Sequence, residues 1–358
     1  MKVFLPEDFV ETDAVVIGAG PVGLFQVFEL GLMEIRAHVI DSLPYAGGQC
    51  IELYPDKPIY DIPGIPVCSG RELVARLMQQ IKPFAPIFHL GQEVSVVERE
   101  PDGRFRVETS TGKRFRAKTI FVAGGVGSFQ PRRLKIDGLA AFNDTQVFYR
   151  IDDPTAFVGK KLLIIGDGDS ALEAAVRFGQ PSAAASVTLM HRRDEFKAEP
   201  ATVVQVMQMR AQGHIQFIAA QPVGFEHDGE RLTTLNVTAA DSSIRSIPID
   251  ALLVLTGLSP KLGPIADWGL ALERKQVVVD TEKFETNTPG IFAVGDVNTY
   301  PGKKKLILCG FHEATLAAFG AAACVFPDKP IHLEYTTTSP RLHRALGVAP
   351  QSAPPAQT

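Results

Sequence analysis

DAVVIGAGPVGLFQVFELG, residues 13–31, decides the fold. It passes from a short apolar segment of strand character, through a glycine-rich turn, into an apolar segment with helical spacing. Gly18, Gly20 and Gly23 satisfy G-x-G-x-x-G at the junction, with Val22 inside the turn. Glycines there let the backbone turn tightly and approach a pyrophosphate, whose charge meets the N-terminus of the following helix. The next apolar run, AHVID (37–41), ends in Asp41, where a carboxylate can accept ribose hydroxyls. With strand, turn, helix and acid in this order, a chance glycine turn is the poorer reading.

KKLLIIGDGDSALEAAVRFG (160–179) repeats the grammar, and ASVTLM (185–190) follows it as AHVID follows the first. Gly166, Gly168 and Ala171 give the G-x-G-x-x-A form, with Asp169 and Ser170 opening the helix. Two such starts imply two nucleotide sites. After the second, the strand end carries no acid but the cations of HRRDEFK: His191, Arg192, Arg193 and Lys197. A 2′-phosphate needs forked positive donors, which arginine supplies at fixed geometry, and an acid there would repel it. Solvated loop charge is the alternative for Arg192 and Arg193. The first site thus suits FAD or NAD and the second NADP. Asp167, inside the second loop, is a charge whose direction the sequence does not give.

The chain has 358 residues, more than one simple core usually serves, so two domains are expected. Its formal net charge of −4 gives no global argument for nucleic acid or an acidic membrane surface. Cys50, Cys68, Cys309 and Cys324 form no CxxC, metal-ligand spacing or disulfide framework, which fits a reducing cytoplasm. The opening residues lack a signal-peptide layout, and no apolar run is expected to reach the ~18 residues of a membrane span. A meander is expected over 89–125 and a comparable one over 217–240, before DALLVLTGLSP (250–260). The glycine-bearing crossings AGG (123–125) and TGL (256–258) are the expected hinges, and the tail 349–358 reads as disordered. The expected class is α/β, with two Rossmann-like domains of the three-layer ββα kind. TNTPGIFAVGDVNTYPG (286–302) carries the Gly295-Asp296 pair, which resembles the returning FAD motif of two-dinucleotide flavoproteins, so residues 1–125 and 257–348 are expected to form a split FAD domain and residues 126–256 an inserted NADPH domain.

Taken together, GAGPVGLF (18–25), GGQCIELYPDKPIYDIPG (47–64), GGVGSFQPR (124–132), GDGDSA with HRRDEFKA, GIFAVGDVNTYPGKKKLILCGFHEA (290–314) and YTTTSPRLHRALGV (335–348) cover nearly the whole chain. They resemble the ferredoxin–NADP reductases of the thioredoxin-reductase-like group, and the YP-x-K-x-IYDIPG block is far rarer than a glycine fingerprint. The resemblance implies a homodimer moving electrons between NADPH and ferredoxin, or flavodoxin, through FAD. It implies that Asp41 holds the adenosine ribose, that Gly48 and Gln49 approach the flavin, and that Tyr54 stacks on one face of its ring. Val94 and Phe129 would line the FAD site, Asp296 of the Gly295-Asp296 pair would meet the ribityl chain, and Thr337 the flavin region. Tyr335 would cover the other face from the neighbouring subunit. Two positions depart from the resemblance: Asp167 stands where relatives usually have glycine, and Lys197 where arginine is common.

The flavin itself performs the hydride and one-electron chemistry, so no general base is expected among the side chains. Thioredoxin reductases of this architecture carry a CxxC just before the second glycine loop, whereas 141–161 contains no cysteine. Electrons would then leave from the flavin edge to an acidic carrier, docked on Lys303–Lys305, Arg132 and Arg133, or Arg341 and Arg344. Cys50 reads as packing, and Tyr60 stays undecided between core and site. The rival readings are an NADPH-dependent flavin reductase with a quinone or other small acceptor, and a non-enzymatic FAD/NADPH redox sensor.

Overall fold

The computed structural model describes residues 9–151, 153–330 and 332–348, so the tail 349–358 lies outside the described residues. The chain divides into two units, one built from residues up to Ser128 and from Lys261 onward, the other from Phe129–Pro260. The division falls a few residues beyond the AGG and TGL crossings. The paired strands Ser128–Pro131 and Leu258–Lys261 lie across these boundaries, each with one end residue in the first unit.

In the first unit Phe9–Ile17 pairs in parallel with Ala37–Ile40 on one side and Arg114–Val122 on the other. Ile87–His89 extends one edge in parallel, and Ile291–Ala293, from the far end of the sequence, adds in parallel to Arg114–Val122. Val94–Arg99 and Phe105–Thr109 continue the sheet antiparallel, as the turn-punctuated alternation of 89–125 dictates. The central strand reads AVVI and is fully buried or nearly so, which a parallel strand covered on both faces requires.

The helix Pro21–Leu32 begins on a proline, whose missing N–H is one the first turn could not use. It packs against Gly70–Ile81, which carries a capping box between Ser69 and Glu72, and against Ile307–Val325. Ile307–Val325 is by length and composition apolar enough to cross a membrane, which corrects the expectation that no run comes near that length. It lies in the core of this unit, with Ala314, Ala317, Ala318 and Ala321 buried.

The second unit has the strand order Val147–Phe148, Ala251–Val254, Lys161–Ile165, Ser186–His191, Gln216–His227, Leu232–Ala239, Ile244–Pro248. The pairs are parallel up to Gln216–His227 and antiparallel beyond it. Side chains alternate across the sheet. Leu162 and Ile164 join the helices Asp169–Phe178 and Pro200–Ala211 in one cluster, while Leu163 and Ile165 join Leu232, Leu235 and Val237 of the meander in another. Helices therefore cover one face and antiparallel strands the other.

Candidate functional site

Both glycine loops are built alike. Gly18 N–H donates to Ile40 O at 2.8 Å, and Gly166 N–H donates to Met190 O at 3.1 Å, so each turn is tied to the strand beside it. A Cβ on Gly18, at φ +113°, would stand 2.4 Å from Ala123 O, and one on Gly166 2.4 Å from Leu255 O. A Cβ on Gly23 would stand 1.9 Å from Gly18 O. The second loop has Ala171 in the matching place, fully buried and packed against Gly166.

The middle glycines differ in kind. Gly20 and Gly168 have extended backbones, φ −71° and −99°, which any residue adopts. A Cβ on Gly20 would meet nothing nearer than Gly48 Cα at 3.9 Å, and one on Gly168 nothing nearer than Lys197 O at 3.9 Å. The protein itself does not require glycine at either position. A group that comes close to the backbone does, which is the fit test for a bound pyrophosphate.

Around the first loop Val22, Asp41, Gly48, Gln49 and Asp296 come together. Asp41 accepts Ala19 N–H at 2.6 Å on one oxygen and Leu43 N–H at 2.8 Å on the other. Those bonds leave the remaining lone pairs for hydroxyls. Burial pushes its carboxyl up from the ordinary range, against the pull of the two amides. Gly47 N–H donates to Ala19 O at 2.8 Å, and a Cβ on Gly48 would touch Gly20 Cα at 3.0 Å, so the GGQ turn lies on the glycine loop. Gln49 Nε2 reaches Asp296 Oδ2 at 3.5 Å, joining residues from opposite ends of the chain. Val22 sits beneath Gly295 and Gly310, which fixes the distance between the first loop and the Gly295-Asp296 pair.

Tyr54 is half-buried, with its hydroxyl 3.6 Å from Cys50 Sγ, and burial pushes its phenol up, so the ring stays neutral. Cys50 is 1% exposed and its thiol is raised by burial, which fits packing and not nucleophilic chemistry. Tyr60, 70% exposed, is not a core residue; it borders an open cavity of about 500 Å³ with Leu53, Tyr54, Lys57 and Asp61. Val94 is buried in the core of the unit. The backbone of Phe129 lies in Ser128–Pro131, and its side chain lies outside the described residues.

Tyr335 and Thr337 are not brought to the first loop within one chain. Both are exposed, and Arg341 anchors their segment to Leu32 O at 3.0 Å and to Glu34 at 3.7 Å. That is the C-terminal end of Pro21–Leu32, the end away from the glycines.

The second site gathers His191, Arg192, Arg193 and Lys197 beside Gly166–Ala171. Arg192 and Arg193 are exposed, and among the described residues no ion pair or hydrogen bond engages either guanidinium. His191 Nδ1 lies 3.0 Å from Arg193 O, which orients the ring. Asp169 Oδ1 accepts Glu199 N–H at 2.7 Å and so ties the helix start to the loop after HRRDEFK. Ser170 follows in the first turn, exposed.

The basic clusters separate by environment. Lys303 is 6% exposed and ion-paired with Glu313, itself 0% exposed, so it is no docking lysine; this corrects the reading of Lys303–Lys305 as one surface run. Arg341 is also committed, to Glu34 and Glu334. Lys304, Lys305, Arg132, Arg133 and Arg344 remain exposed.

Glu313 was not legible as a site residue, yet it organises the Gly295-Asp296 turn. It accepts Gly295 N–H at 2.7 Å, Asn298 Nδ2 at 2.8 Å and Tyr300 OH at 2.9 Å, while Lys303 Nζ donates to Gly295 O at 2.9 Å. The available signal was an acid within ILCGFHEATLAAFGAAACV, since a carboxylate on an apolar helix must be paired if buried.

The pyridine nucleotide-disulphide oxidoreductase family model matches residues 12–315. A ferredoxin–NADP reductase of Methylibium petroleiphilum is 64% identical over 341 residues, covering 95% of this chain and 93% of the relative. One of Albidiferax ferrireducens is 63% identical over 344 residues, covering 96% and 97%. Among solved structures, Lactococcus lactis thioredoxin reductase aligns with a TM-score of 0.61 at 25% identity, covering 88% of this chain and 99% of that one. The thioredoxin reductase of T. acidophilum gives 0.62 at 23%, covering 87% and 98%, a likeness of fold.

Proposed function

We infer that this chain, which belongs to the pyridine nucleotide-disulphide oxidoreductase family and within it to the ferredoxin–NADP reductases, transfers electrons between NADPH and ferredoxin through bound FAD. The observation that carries the reading is the pair of open middle glycines, Gly20 and Gly168, each on a helix N-terminus and each unnecessary to the protein's own packing. FAD supplies the step between two-electron hydride chemistry and one-electron delivery.

In this reading Gly18, Gly20, Val22, Gly23 and Gly48 offer backbone to the FAD pyrophosphate, and Asp41 accepts the adenosine ribose hydroxyls. Gln49 and Asp296, already bridged, face the ribityl chain. Tyr54 lays a neutral ring on the flavin and excludes water from that face, with Val94 and Phe129 lining the same site. Gly166, Gly168, Asp169, Ser170 and Ala171 serve the NADPH pyrophosphate, and Arg192, Arg193, His191 and Lys197 its 2′-phosphate. No side chain is needed as general acid or base.

The working unit of this proposal is a homodimer, supported by the exposed Tyr335 and Thr337 on a segment anchored away from their own chain's first loop. A cytoplasmic setting away from membranes is supported by four free cysteines and by the buried face of Ile307–Val325. The partner is an acidic ferredoxin, or a flavodoxin, and its candidate docking cations are Lys304 and Lys305, or Arg132 and Arg133, or Arg344, each cluster taken by itself. The direct test is ferredoxin reduction by NADPH-reduced protein. Rates should fall several-fold as salt rises from about 10 to about 200 mM, because exposed charge is screened over about a Debye length. Turnover with quinones but not with ferredoxin would overturn the carrier assignment.

A further inference from the structure

We propose that Asp167 sets the nucleotide selectivity of the second site, weakening its preference for a 2′-phosphorylated ligand by occupying His191 and Lys197. The inference rests on the reading of this loop as the NADPH site. Asp167 lies between Gly166 and Gly168, and its Oδ2 stands 3.6 Å from His191 Nε2 and 4.0 Å from Lys197 Nζ. The arrangement is held by backbone: Lys197 N–H donates to Asp167 O at 2.7 Å, and Gly168 bridges to Lys197. His191 Nδ1 is turned to Arg193 O, so Nε2 is the ring atom that faces the carboxylate.

The first loop shows the opposite assignment of charge. There the matching position is Ala19, whose N–H goes to the acid at the strand end, Asp41. The second site has its cations at the strand end and its acid in the loop. A phosphate arriving there meets a carboxylate already facing His191 and Lys197, and only the guanidiniums of Arg192 and Arg193 stand without a partner among the described residues. Like charge at this spot disfavours a doubly charged ester and leaves an unphosphorylated ribose nearly indifferent. Lys197 is 81% exposed, so solvent screens its part of the pairing, while His191, at 16%, is held closer against the carboxylate.

The test is calorimetric binding of 2′,5′-ADP and of 5′-AMP to the FAD-loaded dimer, for the natural protein, Asp167→Asn and Asp167→Gly. Removing the carboxylate should tighten 2′,5′-ADP about three- to tenfold and change 5′-AMP by less than about twofold. Lys197→Ala should weaken 2′,5′-ADP more in the Asp167→Asn background than alone, since the two residues are coupled. Unchanged 2′,5′-ADP affinity, or equal tightening of both ligands, overturns the proposal. If Arg192→Ala/Arg193→Ala abolishes a 2′,5′-ADP preference that Asp167→Asn leaves untouched, only the role of Asp167 falls. If the natural protein binds both ligands alike and the arginine variant changes nothing, the NADPH reading falls and takes the proposal with it.

Discussion

Lys303 and its neighbours Lys304 and Lys305 look identical in sequence, and the structure separates them completely. Lys303 is buried against Glu313, and the pair is satisfied on every side by Gly295, Asn298 and Tyr300. Removing one partner of such a pair leaves an uncompensated buried charge, at a cost of about 3–5 kcal/mol. Lys303→Met should therefore destabilise the folded protein by that amount in urea unfolding and speed FAD release. The double change Lys303→Met/Glu313→Gln should recover part of the loss. A single variant within about 0.5 kcal/mol of the natural protein would show the pair to be idle. Residue roles of this kind are poorly legible in sequence because a lysine in a KKK run gives no sign of which member turns inward. Asp41 was legible, since strand end and glycine loop fix its surroundings; Asp167 was visible but not its direction.

At the scale of elements, the two strand–turn–helix repeats were fully legible, because a short continuous apolar run gives way to helical spacing across a glycine turn in each. The meanders were legible from DG and TG turns. Gln216–His227 was harder: it contains Pro222, which cannot donate to a ladder, and the strand accommodates it with an irregular register between Pro222 and Gly224. The division between the units falls a few residues past the glycine crossings, within the paired strands Ser128–Pro131 and Leu258–Lys261, because glycines mark where the chain can turn but not which residues pack with which unit. Ile307–Val325 was underestimated for a different reason. His312 and Glu313 interrupt the apolar run by composition, while in the fold Glu313 is fully enclosed and the helix is continuous.

For the molecule as a whole, sequence patterning carried the division into two nucleotide-binding units, while the subunit count depends on surfaces that one chain does not show in its sequence. Sedimentation should give two copies per particle, and deletion of 335–348 should lower flavin reduction by NADPH more than it lowers thermal stability. A particle of one copy with full activity would contradict the dimer. The account as a whole depends on Arg192 and Arg193 selecting NADPH for a protein that holds FAD, and the measurement that meets this claim is anaerobic titration of the purified protein while its visible absorbance is followed. The preparation should be yellow, bleach with about one equivalent of NADPH, and require at least about tenfold more NADH, a margin that charge-assisted bonds to one phosphate can supply. A colourless protein, or one that bleaches equally with both nucleotides, would contradict it.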